Sequence, residues 1–360
     1  MIQQVTITTT PKYNFPLSTI DPSLPQRLTE QSIHSLKHTQ NQPFQLNQQI
    51  FQYKNNLEEQ IQTTQIELQP ILLRPRLEET VVTAVDTSSI KIGETSKGML
   101  IAVRGASVWK HKRNYKYSRI GPFIFNVTEE NRKEVYNALQ KEYFSSSHED
   151  NHYGSPSLLQ MPTRIANLLE RWLQAAITKT INNGLILFDG SLTSGITGTS
   201  TWRTQKILNA ARERENTILA FSKMTSLRFN GYLITDVLLK HRPPYLFEIA
   251  GLKPKPPVVL LGDVYVARLA NRNYAFRLDI DKKLPIKRKI KAVEKLLGND
   301  LCPQSYPETL RLAHILCTFT ANEVIAMQHF ITQKFNLRII NRPDMHRLLF
   351  GPFGKGEICS

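Results

Sequence analysis

The sequence predicts a mixed α/β fold, a sheet with helices packed on its faces. Three observations lead there. Short β-branched and aliphatic runs alternate with longer stretches whose apolar residues recur at helical spacing. Two of the runs, Ala84-Val85-Asp86-Thr87-Ser88 and Leu187-Phe188-Asp189-Gly190-Ser191, end in the same Asp-x-Ser pattern. At 360 residues, 41% apolar and 21% charged, the chain can build a sizeable core.

Taken in order, residues 1–75 read as a polar extension, 76–350 as the main domain and 351–360 as a tail. Gln is dense between Gln31 and Gln69, and Pro11, Pro16, Pro22 and Pro25 predict that no long helix forms before that stretch. Ile50, Tyr53, Leu57 and Ile61 predict one amphipathic helix over 47–66. Strands follow at 81–86, 99–108 and 122–127, the last two separated by a basic loop. A helix is expected over 128–143 with Thr128 as its cap, and a Ser-rich segment then interrupts the chain. The next helix, 163–181, puts Ile165, Leu168, Leu169, Trp172 and Ala176 on one face. Asn183-Gly184 stops it before the buried strand at 185–190.

Helix 201–214 leads to a strand at 218–221, and a helix is expected over 231–240. The proline cluster at 253–257 opens an insertion, about 253–285, that carries a hairpin of 258–269 with 274–280. Helices at 307–319 and 321–335, the second capped by Thr320, close the domain. Three strands, a helical region, a strand, a helix and a strand is the element order of the ribonuclease H-like fold.

Lys and Arg number 46 against 30 Asp and Glu, a formal charge of +16, which favours a polyanionic partner. No apolar run has the length of a membrane span, and no basic start precedes an apolar block at the N-terminus. Three cysteines give neither a disulfide framework nor a CxxC metal pair. A soluble cytoplasmic protein is the expectation. Collagen, disulfide miniproteins, zinc ribbons and membrane channels are excluded as classes.

Both Asp-x-Ser motifs put a carboxylate at the carboxyl end of an apolar strand, where ligand sites of α/β sheets gather. If the strands are neighbours, Asp86 and Asp189 converge. Their repulsion then calls for a divalent cation, and oxygen ligands suit Mg²⁺ or Mn²⁺. Such an ion polarises a phosphoryl group and acidifies water. The alternative is that each Asp merely forms a turn or caps a helix. Glu170, the only acidic residue between Asp150 and Asp189, is the candidate third carboxylate; a solvated Glu paired with a neighbouring Arg is the other reading.

Between Glu94 and Glu129 seven cations occur without an acid: Lys97, Arg104, Lys110, Lys112, Arg113, Lys116 and Arg119. Trp109, Tyr115 and Tyr117 are interleaved, the combination expected of a single-strand channel overhanging the metal site. A solvated charged hairpin is the competing reading. Lys223, just after a strand, is a candidate for the scissile phosphate or a plain surface Lys. A second block, Lys282 to Lys291, fits a helix face equally well.

The chain resembles the NurA nuclease family of archaea and bacteria. The resemblance rests on Val85-Asp86-Thr87-Ser88, Leu185 to Leu192 (LILFDGSL) and Phe221 to Thr225 (FSKMT). It continues in Phe276-Arg277-Leu278-Asp279 and in Ser305 to His314 (SYPETLRLAH), in the family's order over roughly 80–335. It implies a ribonuclease H-like core, Mn²⁺-dependent (or Mg²⁺-dependent) DNA cleavage and a homodimer. It further implies partnership with the hexameric HerA translocase in DNA end resection, with 5′-to-3′ exonuclease and single-strand endonuclease action. Carried over by position, the metal-binding and catalytic residues are Asp86, Glu170, Asp189 and His314. His314 would be a fourth ligand or proton-transfer group, with a buried structural role as the other reading. Arg277 joins Lys110, Lys112, Arg113, Tyr115, Lys116 and Lys223 as an expected nucleic-acid contact. One departure is Thr87, where the family usually has Gly; a positive φ there would strain Thr. That departure supports a competing expectation, a non-catalytic DNA-binding subunit that loads or regulates a translocase.

Overall fold

The computed structural model describes residues 23–37, 43–45, 61–62, 69–143, 156–195, 200–225, 227–229, 232–236 and 241–340. Eleven strands join in one mixed sheet. In chain order they begin with β1 (Pro43–Gln45), β2 (Ile71–Leu72), β3 (Val82–Thr95), β4 (Gly98–His111) and β5 (Asn114–Thr128). Next come β6 (Leu185–Asp189), β7 (Thr217–Ser222) and β8 (Tyr245–Glu248). β9 (Gly262–Arg268), β10 (Phe276–Asp281) and β11 (Arg338–Ile340) complete the sheet. The described helices are α1 (Leu24–Lys37), α2 (Arg132–Tyr143), α3 (Met161–Thr178) and α4 (Thr201–Glu213). They are followed by α5 (Ile286–Asn299), α6 (Glu308–Cys317) and α7 (Ala321–Lys334).

The first large strands, β3, β4 and β5, form an antiparallel meander, and β6 and β7 lie parallel to β3. A three-stranded meander followed by two strands parallel to its first member is the ribonuclease H-like arrangement. Beyond β7 the sheet continues through β10, β9, β8 and β2. β6 covers only the first residues of β3; further along, β1 pairs with Glu94 and Thr95 and carries β11 at its other edge.

Alternation along the strands divides the core. Val85, Ile186 and Phe188 face a cluster with Ile165, Leu169 and Leu173 of α3 and with Ile207 and Leu208 of α4. Val82, Ala84, Leu185 and Leu187 face Val293 and Leu296 of α5 and Leu310 and Ala313 of α6. α7 covers the far end of β3 and β4 through Val324, Met327 and Ile331. A capping box between Thr320 and Glu323 starts it, as its sequence predicts.

Several expectations change. The helix expected over 47–66 lies outside the described residues except for Ile61–Gln62, which form a two-residue strand against Lys253–Pro254. A helix does form earlier: α1 starts with Pro25 in its first turn, where the missing N–H is no loss. The Ser32 and Ser35 hydroxyls of α1 accept bonds from the Ile124 and Asn126 amides, tying it to β5. Thr128 ends β5 rather than capping α2; its hydroxyl accepts from Asn131 N, and the helix begins at Arg132. Over 231–240, Tyr232–Leu233 pairs with Arg228–Phe229 and a single 3₁₀ turn follows at Ile234–Asp236; residues 237–240 lie outside the described set. Ile234 is buried there and its amide bonds back to Leu227 O, so this described part of the segment forms a turn and not a regular helix.

Candidate functional site

Parallel pairing of β3 with β6 sets Val85 opposite Phe188. The next residues, Asp86 and Asp189, therefore stand side by side at the end of β6. Both follow residues that face α3, so both side chains point to the α6 face. Gly190 has φ +113° and its amide bonds to Phe221 O, turning the chain sharply after Asp189. Thr87, by contrast, continues the regular ladder opposite Gly105 and is not among the residues with positive φ. Its hydroxyl donates to Ala166 O of α3 at 3.3 Å. Thr in place of Gly is unstrained in this strand.

α6 brings His314 onto the pair. Its Nδ1 lies 2.7 Å from Asp86 Oδ2, while the side chain keeps 50% of its surface exposed. Cys317, buried one helical turn further on, completes a group with Asp86 and His314 whose ligand atoms lie within 4.8 Å of one another. Burial pushes the Cys317 thiol up, and a bond to Asp86 helps keep its proton. Glu170 approaches from α3, on the other face of the sheet. Burial raises its carboxyl to about 8; Arg171 opposes the shift, and Asp86 and Asp189 add repulsion. Gln174 Nε2 donates to Glu170 Oε1 at 2.8 Å. Asp189 is raised by burial too, against the pull of Lys223, whose Nζ lies 2.6 Å from Asp189 Oδ2. Asp86 raises it further.

All four residues expected in the site thus share one electrostatic neighbourhood, and Lys223 belongs to it. Two further members escaped the sequence reading. Cys317 sits at i+3 from His314, a spacing that marks a shared helix face but carries no motif. Tyr306, within the Ser305 to His314 segment, packs edge-on against Phe221 and Phe276 with ring centroids 6.0 and 5.2 Å away. Its hydroxyl is buried without a hydrogen-bond partner among the described residues. Burial raises its pKa, and Asp189 and Asp86 add to the shift. An orphaned hydroxyl beside crowded, largely buried carboxylates and an imidazole is a donor set that fits a divalent cation.

The other expected nucleic-acid contacts lie elsewhere. The basic segment is not a loop over the carboxylates but the tip of the β4–β5 hairpin, turned at Lys112 with φ 56°. Lys110 pairs with Val82, four residues before Asp86 and thus about 13 Å away along β3, toward the opposite end of β6 from Asp189. Lys110 forms a buried ion pair with Asp300 at 3.1 Å beneath the Tyr115 ring, and Lys112 pairs with Glu79 at 3.1 Å. Arg113 is exposed at the turn and Lys116 follows it on β5. Arg277 is 0% exposed, so it cannot touch a nucleic acid. It grips Asp279 through two bonds of 2.7 and 2.8 Å and also reaches Thr193 Oγ1. Asp279 in turn accepts from Leu192 N at 2.9 Å. The pair anchors the segment that follows Asp189.

No family model and no curated protein matches the chain. Among solved structures it is similar to the NurA nuclease from Sulfolobus solfataricus, at 15% identity and a TM-score of 0.48, covering 86% of this chain and 94% of that one. It is similar also to endonuclease V from Bacillus subtilis, at 11% identity and a TM-score of 0.29, covering 74% and 88%. A third is the C-terminal lobe of a budding yeast Argonaute, at 10% identity and a TM-score of 0.29, covering 71% of this chain and 49% of that lobe.

Proposed function

We propose that the protein is a divalent-metal-dependent nuclease that hydrolyses phosphodiester bonds of DNA. One observation carries this reading. Asp86 and Asp189, 103 positions apart, stand side by side at the end of β6 with His314 against Asp86, and Glu170 of α3 is close enough to feel both charges. Asp86, Asp189, Glu170 and His314 would hold Mn²⁺ or Mg²⁺, with Tyr306 beside them. A bound ion supplies Lewis-acid polarisation of the phosphate.

The chain's own groups do the rest. Lys223, held at Asp189, offers its ammonium to a non-bridging phosphate oxygen. His314 is fixed through Nδ1 by Asp86 yet half exposed, so its other ring nitrogen serves either as the fourth ligand or, where it does not hold the ion, to transfer a proton. The Tyr306 hydroxyl has no protein acceptor among the described residues and is free to donate to a substrate oxygen. Gly190 and the Arg277–Asp279 pair fix the backbone around Asp189, so the carboxylate is pre-positioned.

Preference for DNA, 5′-to-3′ exonuclease and single-strand endonuclease action, a homodimer and a HerA-type translocase partner belong to the proposal on the strength of the sequence resemblance. The rival reading as a non-catalytic DNA-binding subunit draws on Thr87, which sits unstrained in β3. The test is cleavage of labelled single- and double-stranded DNA by the full chain with Mn²⁺, Mg²⁺ or chelator. We expect Asp189→Ala to lose more than about 100-fold in cleavage while still binding DNA. Cleavage by that variant at the wild-type rate in Mn²⁺ would dismiss the assignment.

A further inference from the structure

Strand register places a cation on the same row as the carboxylates, at the outer edge of the sheet. Asp86 of β3 pairs with Ala106 of β4, and Ala106 pairs with Arg119 of β5. Cross-strand partners share a face, so Arg119 points to the face that carries Asp86, His314 and α6. Two strand spacings, about 10 Å, separate the Arg119 and Asp86 backbones. On the opposite flank of the carboxylates stands Lys223. α6 packs on β3 and β4, and His314 and Thr318 are exposed at its C-terminal end.

Arg119 is one of two arginines gathered on a single carboxylate. Its Nη2 lies 3.0 Å from Glu323 Oε1, while Arg104 reaches the same carboxylate at 2.8 Å. Arg104 is 4% exposed, stacks 4.4 Å over the Phe319 ring and donates to Thr318 O, so it pins the corner between α6 and α7. Its Nε remains buried without a partner. The cluster thus holds two guanidinium charges against one carboxylate, and its exposed member, Arg119, keeps 35% of its side chain in solvent. Partial burial works against the charge of Glu323, but Arg104, the Thr320 amide and Arg119 hold its carboxyl at about 2. The unneutralised positive charge therefore persists at any physiological pH.

We propose that Arg119 is a backbone-phosphate subsite for the strand entering the carboxylate pocket, and that Glu323 tunes its strength by sharing it with Arg104. The inference rests on the nuclease reading and adds a direction: the strand crosses the β-strands, with Arg119 on the β5 side of the carboxylates and Lys223 on the β7 side. A purely structural role, locking the start of α7 onto β5, is the competing account.

The two accounts part in a binding titration in chelator, with a labelled oligothymidylate over a series of KCl concentrations. Arg119→Ala should raise Kd about 3- to 10-fold and flatten the slope of log K against log salt by about 0.7, the loss of one phosphate contact. Arg119→Lys should restore most of the slope, because the charge returns. Glu323→Gln, which keeps the amide oxygen for capping, should tighten binding and steepen the slope. With Mn²⁺, the loss in Arg119→Ala should appear in KM rather than kcat. Unchanged Kd and slope in Arg119→Ala, while the wild type binds and cleaves, overturn the subsite and leave the nuclease standing. Should Arg119→Ala fail to fold, the slope of Glu323→Gln decides: steeper supports the subsite, unchanged overturns it. A wild type that binds no oligonucleotide overturns both readings.

Discussion

Replacing Glu170 with Gln removes a charge that the folded protein resists. The carboxyl stands at about 8 in the fold against an ordinary 4.5, first because burial strips its hydration. Between those values the folded chain holds a proton that the unfolded chain has released. Stability of the metal-free protein must therefore fall as pH rises through that window. Each pKa unit is worth about 1.4 kcal/mol, so at pH 7 the penalty reaches up to about 3 kcal/mol. Contact of the side chain with solvent lowers this to about 2 kcal/mol. Gln keeps the shape and can still accept from Gln174 through its amide oxygen. In chelator, thermal or guanidinium midpoints of Glu170→Gln should exceed those of the wild type at pH 7 and 8. The gap should shrink below about 1 kcal/mol near pH 5, only about half a unit above the unfolded value, and vanish below about pH 4, where both states are protonated. Added Mn²⁺ should raise the wild-type midpoint and move the variant less. A gap that stays constant from pH 5 to 8, or a variant less stable than wild type at pH 7, would show that Glu170 is ionised in the fold and paired with Arg171.

Two further outcomes follow from the same geometry. Arg277→Ala should destabilise the chain by about 3–5 kcal/mol, because it strands the Asp279 carboxylate without its partner; denaturant midpoints test this, and a fully stable variant with weakened DNA binding would contradict a buried structural role. Cys317→Ser should retain Mn²⁺-dependent cleavage but resist inhibition by Cd²⁺ or Zn²⁺ by about tenfold, since the thiol beside Asp86 and His314 is the soft ligand of that group. Equal inhibition of both forms would remove Cys317 from the metal's reach.

Particular residues mark how far the sequence could be read. The two Asp-x-Ser strand ends were legible because an apolar run ending in a carboxylate is a local pattern, and their convergence needed only that the strands be neighbours. α3, α4, α6 and α7 were legible from apolar spacing and, for α7, from its cap. The basic segment was misread because composition does not state direction. The same run of cations reads as a solvent-exposed loop or a hairpin tip, and only the register of Lys110 opposite Val82 turns the tip residues Lys110, Lys112, Arg113 and Lys116 away from Asp189. Arg277 was misread because a lone Arg in an aliphatic run gives no sign of its partner; Asp279, two residues on, shares its face of β10 and satisfies it inside the core.

By itself the sequence determined most strands and helices around the two Asp-x-Ser strand ends, though not α5 or β8, together with the positive charge and the two candidate carboxylates, since each is written in neighbouring residues. Tertiary structure seated the expected His314 through α6 and Glu170 through α3, and it alone brought in Cys317 through α6, Tyr306 through its packing on Phe221 and Phe276, and Arg119 onto the strand row of Asp86. The reason is physical. Helix and strand periodicity follow from local backbone geometry, whereas proximity across the sheet depends on register, which is fixed by packing of the whole core.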